Sequence, residues 1–340
     1  MGYALESEVD DREDGVVNDP SATLLDVVCT AIMPQARGIS AFELRAPDGR
    51  ELPAFTAGAH VDLHLPNGMN RSYSLCNSQE ERHRYVVAVN KDAASRGGSR
   101  FIHEQVKLGH TLRISAPRNN FRLEEAAQHS VLIAGGIGIT PLWCMVQRLE
   151  RLGRSWELYY STRVREMCAF RPELEALERA RPGRVHLNFD QEPGGKPTDL
   201  NALVAGIRRG SHIYCCGPVP MLQAFEKAAA LHGRPVGEVH VEYFSAAEQP
   251  ARVGGFTVVL KSTGERLAIA RGKTILMTLL ENDHEVPYSC MEGVCGMCVT
   301  RVLEGIPDHR DSVLSPRERD EGKMTICCSG SKTPELVLDL

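Results

Sequence analysis

Y-S-C-M-E-G-V-C-G-M-C, residues 288–298, is the stretch on which the reading of this chain turns. Its cysteines, Cys290, Cys295 and Cys298, stand at C-x4-C-x2-C spacing, and I-C-C-S follows at residues 326–329. That spacing is the plant-type [2Fe–2S] pattern, in which one loop supplies three thiolates and a distant residue the fourth. Gly293 and Gly296 let the loop turn tightly and aim backbone N–H groups at sulfur. C-x2-C alone also suits zinc, but zinc sites commonly pair two short-spaced couples, and no second couple of suitable spacing occurs. Cys327 is taken as the fourth ligand, because a strand expected over 324–328 turns Cys328 to the opposite side. Such a cluster moves one electron at a time and implies a one-electron partner.

Around this motif the composition is that of an ordinary globular protein, 42% hydrophobic and 24% charged over 340 residues, a length that suits two or three domains. No apolar run approaches a membrane span, and the N-terminus is acidic rather than signal-like. Residues 5–19 carry Glu6, Glu8, Asp10, Asp11, Glu13, Asp14 and Asp19, so residues 1–20 are expected to form a disordered tail. The net charge of −5 argues against nucleic acid as a partner and permits docking on a basic protein surface. Eleven cysteines, without an evident disulfide framework, fit a reducing cytoplasm.

Upstream, the hydrophobic rhythm divides the chain. H-V-D-L-H-L (60–65) alternates, and short β-like runs recur to Leu123 with turns at A-P-D-G (46–49) and P-N-G (66–68). This predicts a small antiparallel β-barrel over 21–124. V-L-I-A (131–134) opens an alternation of strands and helices that predicts an α/β domain with a parallel sheet over 125–245. Residues 246–255 read as a linker. A third, α+β domain occupies 256–340, opening with F-T-V-V-L (256–260) and R-L-A-I-A (266–270), followed by a helix near 274–282.

Several short motifs can carry chemistry. Arg71-Ser72-Tyr73-Ser74-Leu75 offers a guanidinium for phosphate and an aromatic with hydroxyls for a flavin ring, although an exposed strand has the same composition. Gly97-Gly98-Ser99 leads into a helical stretch, 100–107, and makes either a phosphate site or a plain capped turn. Gly135-Gly136-Ile137-Gly138-Ile139-Thr140-Pro141 joins strand to helix where nucleotide phosphates bind, or packs helix on strand. Cys216, in C-C-G-P (215–218), ends a later strand on the same edge, and Phe244 closes the last parallel strand. Either could face a nicotinamide–flavin pair or belong to the core.

Taken in order, R-x-Y-S-L, G-G-S, G-G-I-G-I-T-P, C-G-P and an aromatic resemble the ferredoxin–NADP reductase superfamily. With the C-terminal cysteine segment, D-H-R-D-S-V-L (308–314) and E-L-V-L-D-L (335–340), the chain resembles the phthalate dioxygenase reductases and vanillate O-demethylase reductases from about residue 24 onward. The resemblance implies FMN rather than FAD, held by Arg71, Tyr73 and Ser74 and by Gly97 to Ser99, on a barrel beside an NAD(P)H domain and a β-grasp ferredoxin domain. It implies a nucleotide lying across Gly136, Gly138, Thr140 and Cys216, with its adenosine ribose near Thr162 and Arg163. Relatives often continue with Asp where this chain has Val164, and Arg163 and Arg165 can meet a 2′-phosphate; NADH is the expected donor, NADPH the alternative. The implied activity is hydride transfer from NADH to FMN, then single electrons through the cluster to a Rieske-type oxygenase, by a monomeric chain. Another one-electron acceptor (a cytochrome or a separate ferredoxin) and a redox sensor are the alternatives. Asp308 to Asp311 either cap the cluster region, help docking or form a solvated loop.

Overall fold

The computed structural model describes residues 24–66, 68–92, 97–245, 250–251 and 253–340. The acidic stretch 1–20 and half of the 246–255 segment lie outside the described residues.

Six strands form the first sheet: β1 (Leu24–Ala36), β2 (Ile39–Arg45), β3 (His60–His64), β4 (Asn70–Ser74), β5 (Tyr85–Asn90) and β6 (Thr111–Ser115). Their order is β4-β3-β6-β1-β2-β5, every pairing is antiparallel, and a bridge between Leu75 and Val87 joins the two ends into a barrel. Closure removes the sheet's free edges. The alternation in β3 would turn Asp62 outward, yet Asp62 is 1% exposed. Arg118 Nη2 lies 2.5 Å from its Oδ2 and Ser72 Oγ donates to its Oδ1 at 2.6 Å, so the buried charge is compensated. Helix α1 (Gly98–Gln105) follows β5 and starts and ends two residues earlier than the sequence suggests, because left-handed Gly97 caps it.

The second sheet is parallel, with strands β7 (His129–Gly135), β8 (Ser155–Thr162), β9 (Val185–Phe189), β10 (His212–Cys216) and β11 (Val239–Glu242) in the order β11-β10-β7-β8-β9. Helices α2 (Ile139–Arg151), α3 (Arg171–Ala180), α4 (Leu200–Gly206) and α5 (Val219–Leu231) connect them. The strand expected to reach Phe244 ends at Glu242, leaving Phe244 past the hydrogen-bonded ladder. The apolar stripe of α2 (Leu142, Met145, Val146 and Leu149) packs into the same core as Phe55, Ala57 and Leu75 of the barrel. Barrel and nucleotide domain are therefore joined by one hydrophobic core, as its area-dependent stabilisation favours.

The third sheet is mixed: β12 (Phe256–Leu260), β13 (Arg266–Ile269), β14 (Val299–Glu304), β16 (Lys323–Thr325) and β18 (Glu335–Leu338) run in the order β13-β12-β18-β14-β16. The short strands β15 (Pro307–Asp308) and β17 (Gly330–Ser331) pair separately. Helix α6 (Ile275–Glu281), N-capped by Thr274, buries Ile275, Leu276 and Leu279 on this sheet, and α7 (Pro316–Asp320) carries a capping box from Ser315 and Glu318. Parallel β12–β18 flanked by antiparallel partners, under one helix, is a β-grasp arrangement. Its core is separate from the one shared by the other two domains.

Candidate redox site

Two motifs distant in sequence meet at one corner of the barrel. Strand alternation puts Arg71 and Tyr73 on one face of β4. The Arg71 side chain lies over the start of α1, where a Cβ on Gly98 would fall 2.7 Å from both its Cγ and its Nε. Gly97, at φ 107, adopts the left-handed conformation that favours glycine. A guanidinium beside the N-terminal N–H groups of a helix makes an anion-binding corner. Ser99 Oγ there accepts the Asp92 N–H at 3.3 Å. Burial pushes the Tyr73 hydroxyl up to about 12, so it stays protonated, and Ser74 is buried at the strand's end. The donor set, a cation, helix N–H groups, an aromatic ring and a hydroxyl, fits a phosphate-bearing flavin.

The carboxyl edge of the parallel sheet forms the second part. β7 ends at Gly135, a short 3₁₀ turn covers Gly136–Gly138, and α2 begins. A Cβ on Gly138 would lie 2.2 Å from the carbonyl oxygen of Cys216, and one on Gly135 2.5 Å from Met221 Sδ. These contacts bring G-G-I-G and C-G-P together across the edge. Thr140 is buried, donating to the Ile137 carbonyl at 3.0 Å. Thr162 Oγ1 donates to the Val164 carbonyl at 3.0 Å, and exposed Arg163 follows.

Beside Cys216 stands Glu242, which the sequence reading passed over. The residue is half-buried, its Oε2 is buried with no hydrogen-bond partner among the described residues, and burial pushes the carboxyl up to about 8. Burial, with Glu242 nearby, also raises the Cys216 thiol well above its usual value. Burial thus favours the neutral form of both groups. Phe244, two residues on, is 39% exposed. A lone glutamate in V-H-V-E gives no sequence signal, since its burial depends on strand β10.

At the cluster loop, the Cys290 thiol lies beside those of Cys295 and Cys327, and Cys327 lies in turn beside Cys298 and Cys328. The thiols of Cys295 and Cys327 beside it lower the Cys290 thiol from its usual value. The Glu292 N–H donates to Cys290 Sγ at 3.3 Å. Three thiols from one loop and a fourth from a distant turn match the plant-type two-iron pattern.

The strand expected over 324–328 is a correction: β16 ends at Thr325 and the cysteines occupy a turn, closed by Ser329 N–H to the Thr325 carbonyl at 3.1 Å. Cys328 Sγ is turned to Thr325 Oγ1, 3.1 Å away, beneath Gly293, where a Cβ would come within 2.4 Å of it. The 308–314 stretch backs the loop. Ser312 N–H donates to the Gly293 carbonyl at 2.9 Å, and buried Asp311 accepts from Leu314 N–H at 2.8 Å.

The barrel meets this loop through polar contacts. Asn120 Nδ2 donates to the Cys295 carbonyl at 3.1 Å. Ser289 lies beside Asp62; burial alone would raise that carboxyl, but Arg118 and neighbouring hydroxyls hold it below its ordinary value. Burial, with Arg118 close by, pushes His60 down to about 4, leaving it neutral.

The family profiles for an oxidoreductase NAD-binding domain and a 2Fe-2S iron–sulfur cluster binding domain match residues 132–227 and 258–331. The chain is 52% identical over 311 residues to the phenoxybenzoate dioxygenase subunit beta of Ectopseudomonas oleovorans, covering 91% of this chain and 95% of that one. It is 50% identical to the tetrachlorobenzoquinone reductase of Sphingobium chlorophenolicum (95% and 100% covered) and 42% identical to the vanillate O-demethylase oxidoreductase of Pseudomonas putida (93% and 100%). The solved structure of phthalate dioxygenase reductase, described as modular for electron transfer from pyridine nucleotides to [2Fe–2S], superposes with a TM-score of 0.70 at 39% identity, covering 93% and 98%. A type IV self-sufficient cytochrome P450 monooxygenase superposes at 0.82 with 37% identity; 93% of this chain spans 41% of that longer one.

Proposed function

The chain belongs to the family of phthalate dioxygenase reductase and the vanillate O-demethylase oxidoreductases, and from that membership we propose that it is the NADH-dependent reductase component of a two-component Rieske-type oxygenase or demethylase. What carries the reading is that one chain holds a flavin corner, a nucleotide edge and a cysteine loop, with the loop hydrogen-bonded to the flavin barrel through Asn120. When bound, FMN accepts a hydride and releases electrons singly, and the cluster carries them one at a time.

The chain's own residues bind and orient. Arg71 and the N–H groups of Gly98 and Ser99 would hold the FMN phosphate, Tyr73 and Ser74 would hold the flavin ring, and Ser72 braces β4 through Asp62. Gly136, Gly138 and Thr140 receive the pyrophosphate, and Thr162 and Arg163 the adenosine ribose. Cys216 and Glu242, whose neutral forms burial favours, would wall the nicotinamide end, and Phe244 would supply a ring for the flavin face. Cys290, Cys295, Cys298 and Cys327 ligate the cluster. The domains are taken as 21–124, 125–245 and 256–340, working as a monomer. None of the eleven cysteines is joined in a disulfide, which supports a reducing, cytoplasmic setting.

A second reading, a quinone as acceptor, is favoured by the 50% identity to a tetrachlorobenzoquinone reductase. Mixing the NADH-reduced protein with a purified Rieske-type oxygenase component or with tetrachlorobenzoquinone separates the two. Reoxidation by the oxygenase at a rate that supports turnover is expected; reoxidation by the quinone alone would replace the first reading with the second.

A further inference from the structure

We infer that Glu192 sets the choice between NADH and NADPH; this rests on the nucleotide-edge reading above and deepens it. A nucleotide whose pyrophosphate lies on the Gly136–Gly138 turn at β7 extends its adenosine over the end of the neighbouring strand, β8. The loop there runs Thr162-Arg163-Val164-Arg165, with Glu166 next in the 3₁₀ turn Arg165–Met167, and its two cations would welcome a 2′-phosphate. The structure adds an acid from a different strand. Thr162 is the register partner of Phe189 at the end of β9, and the loop after β9 folds against the first. Asp190 N–H donates to the Thr162 carbonyl (3.1 Å) and Gln191 N–H to the Arg163 carbonyl (2.8 Å).

These bonds deliver Glu192 onto Arg165. Glu192 Oε1 accepts the Arg165 backbone N–H at 2.7 Å, and Oε2 lies 3.6 Å from its Nη2. The same guanidinium stands 4.7 Å over the Phe189 ring. The Glu192 carbonyl accepts from Gly195 N–H at 2.8 Å, and a Cβ on Gly195 would fall 2.1 Å from the Phe189 carbonyl oxygen, so the 189–195 turn is closed tightly around the glutamate. Glu192 keeps 28% of its side chain exposed, enough to meet a ligand.

A carboxylate so placed accepts a hydrogen bond from a ribose 2′-hydroxyl but opposes a 2′-phosphate, which carries about 1.5 to 2 negative charges. It also engages Arg165, so that of the two arginines only Arg163, exposed, has no carboxylate on it among the described residues. Selectivity comes from the repulsive element as much as from the attractive one. In the usual dinucleotide fold the acid ends the strand next to the phosphate turn; here the following loop provides it.

The test uses the holoprotein and the variants Glu192→Gln, Glu192→Ala and Arg165→Ala. Calorimetric titration with 5′-AMP and with 2′,5′-ADP reads the 2′-phosphate directly, and kcat/KM with NADH and NADPH reads it in turnover. Both Glu192 variants are expected to shift the preference toward the 2′-phosphorylated ligand by about tenfold. Arg165→Ala, which leaves the carboxylate uncompensated, is expected to shift it the other way, a sign that mere loosening of the loop would not produce. Ratios within about twofold of wild type in both Glu192 variants would overturn the inference while leaving the reductase reading intact. Failure of both nucleotides to bleach the wild-type flavin would instead overturn that reading, and the inference with it.

Discussion

Asn120, in the loop leaving the barrel, donates from Nδ2 to the main-chain oxygen of Cys295 at 3.1 Å, linking the flavin domain to the loop of the candidate cluster ligands. The ferredoxin domain has its own hydrophobic core, whereas barrel and nucleotide domain share one. Polar contacts such as this one therefore carry much of the positioning between flavin and cluster, and electron transfer depends on that positioning.

Replacing Asn120 by Ala removes a bond worth about 1 kcal/mol and lowers the docked population accordingly. In stopped-flow reduction by NADH, flavin bleaching should keep its wild-type rate while cluster bleaching slows about fivefold. Equal slowing of both phases would show that Asn120 acts on the fold rather than on the docking.

The two adjacent cysteines should behave oppositely. Cys327→Ser is expected to lose the cluster, seen as loss of iron and of the visible iron–sulfur bands. Cys328→Ser should retain both, because Cys328 faces Thr325 and Ser329 beneath Gly293. Retention of iron by the first and loss by the second would reassign the fourth ligand.

Gly138→Ala pushes a methyl to within 2.2 Å of the Cys216 carbonyl, a backbone atom that cannot swing aside. Overpacking of this kind costs about 1–3 kcal/mol, and the NADH KM should rise with the drop in Tm. Gly206→Ala, at the end of α4 with nothing within 4 Å, is the control and should leave Tm unchanged or slightly higher.

Glu242 makes stability fall with pH. Its carboxyl rises from 4.5 to about 8 on folding, so the folded chain holds a proton that the unfolded chain has released. The contribution is fully present below about 4.5 and is lost as pH rises through about 8. Wild-type Tm should decline between these values more steeply than that of Glu242→Gln. Parallel profiles would mean that Glu242 is ionised in the folded protein.

What the sequence made legible were the local devices. Glycines at forced turns, cysteine spacing and the change from alternating strands to strand–helix units placed each motif on its element. What escaped it depends on partners far along the chain. Asp62 is buried because Arg118, on a later loop, reaches it. Glu242 is half-buried through strand pairing with β10, and Asn120 matters only once the ferredoxin domain docks. The turn holding Cys327 was misread as strand because I-C-C has strand-like composition, while the bond closing the turn comes from Ser329.

Anaerobic titration with NADH, followed by visible and EPR spectroscopy and by identification of the released flavin, tests the relay most directly. The expected result is bleaching of flavin and iron–sulfur bands by about 1.5 equivalents of NADH, two electrons for the flavin and one for the cluster. A rhombic reduced-cluster signal and released FMN should accompany it. Flavin bleaching by about one equivalent, with an absent or unresponsive cluster, would contradict the account and leave a plain diaphorase.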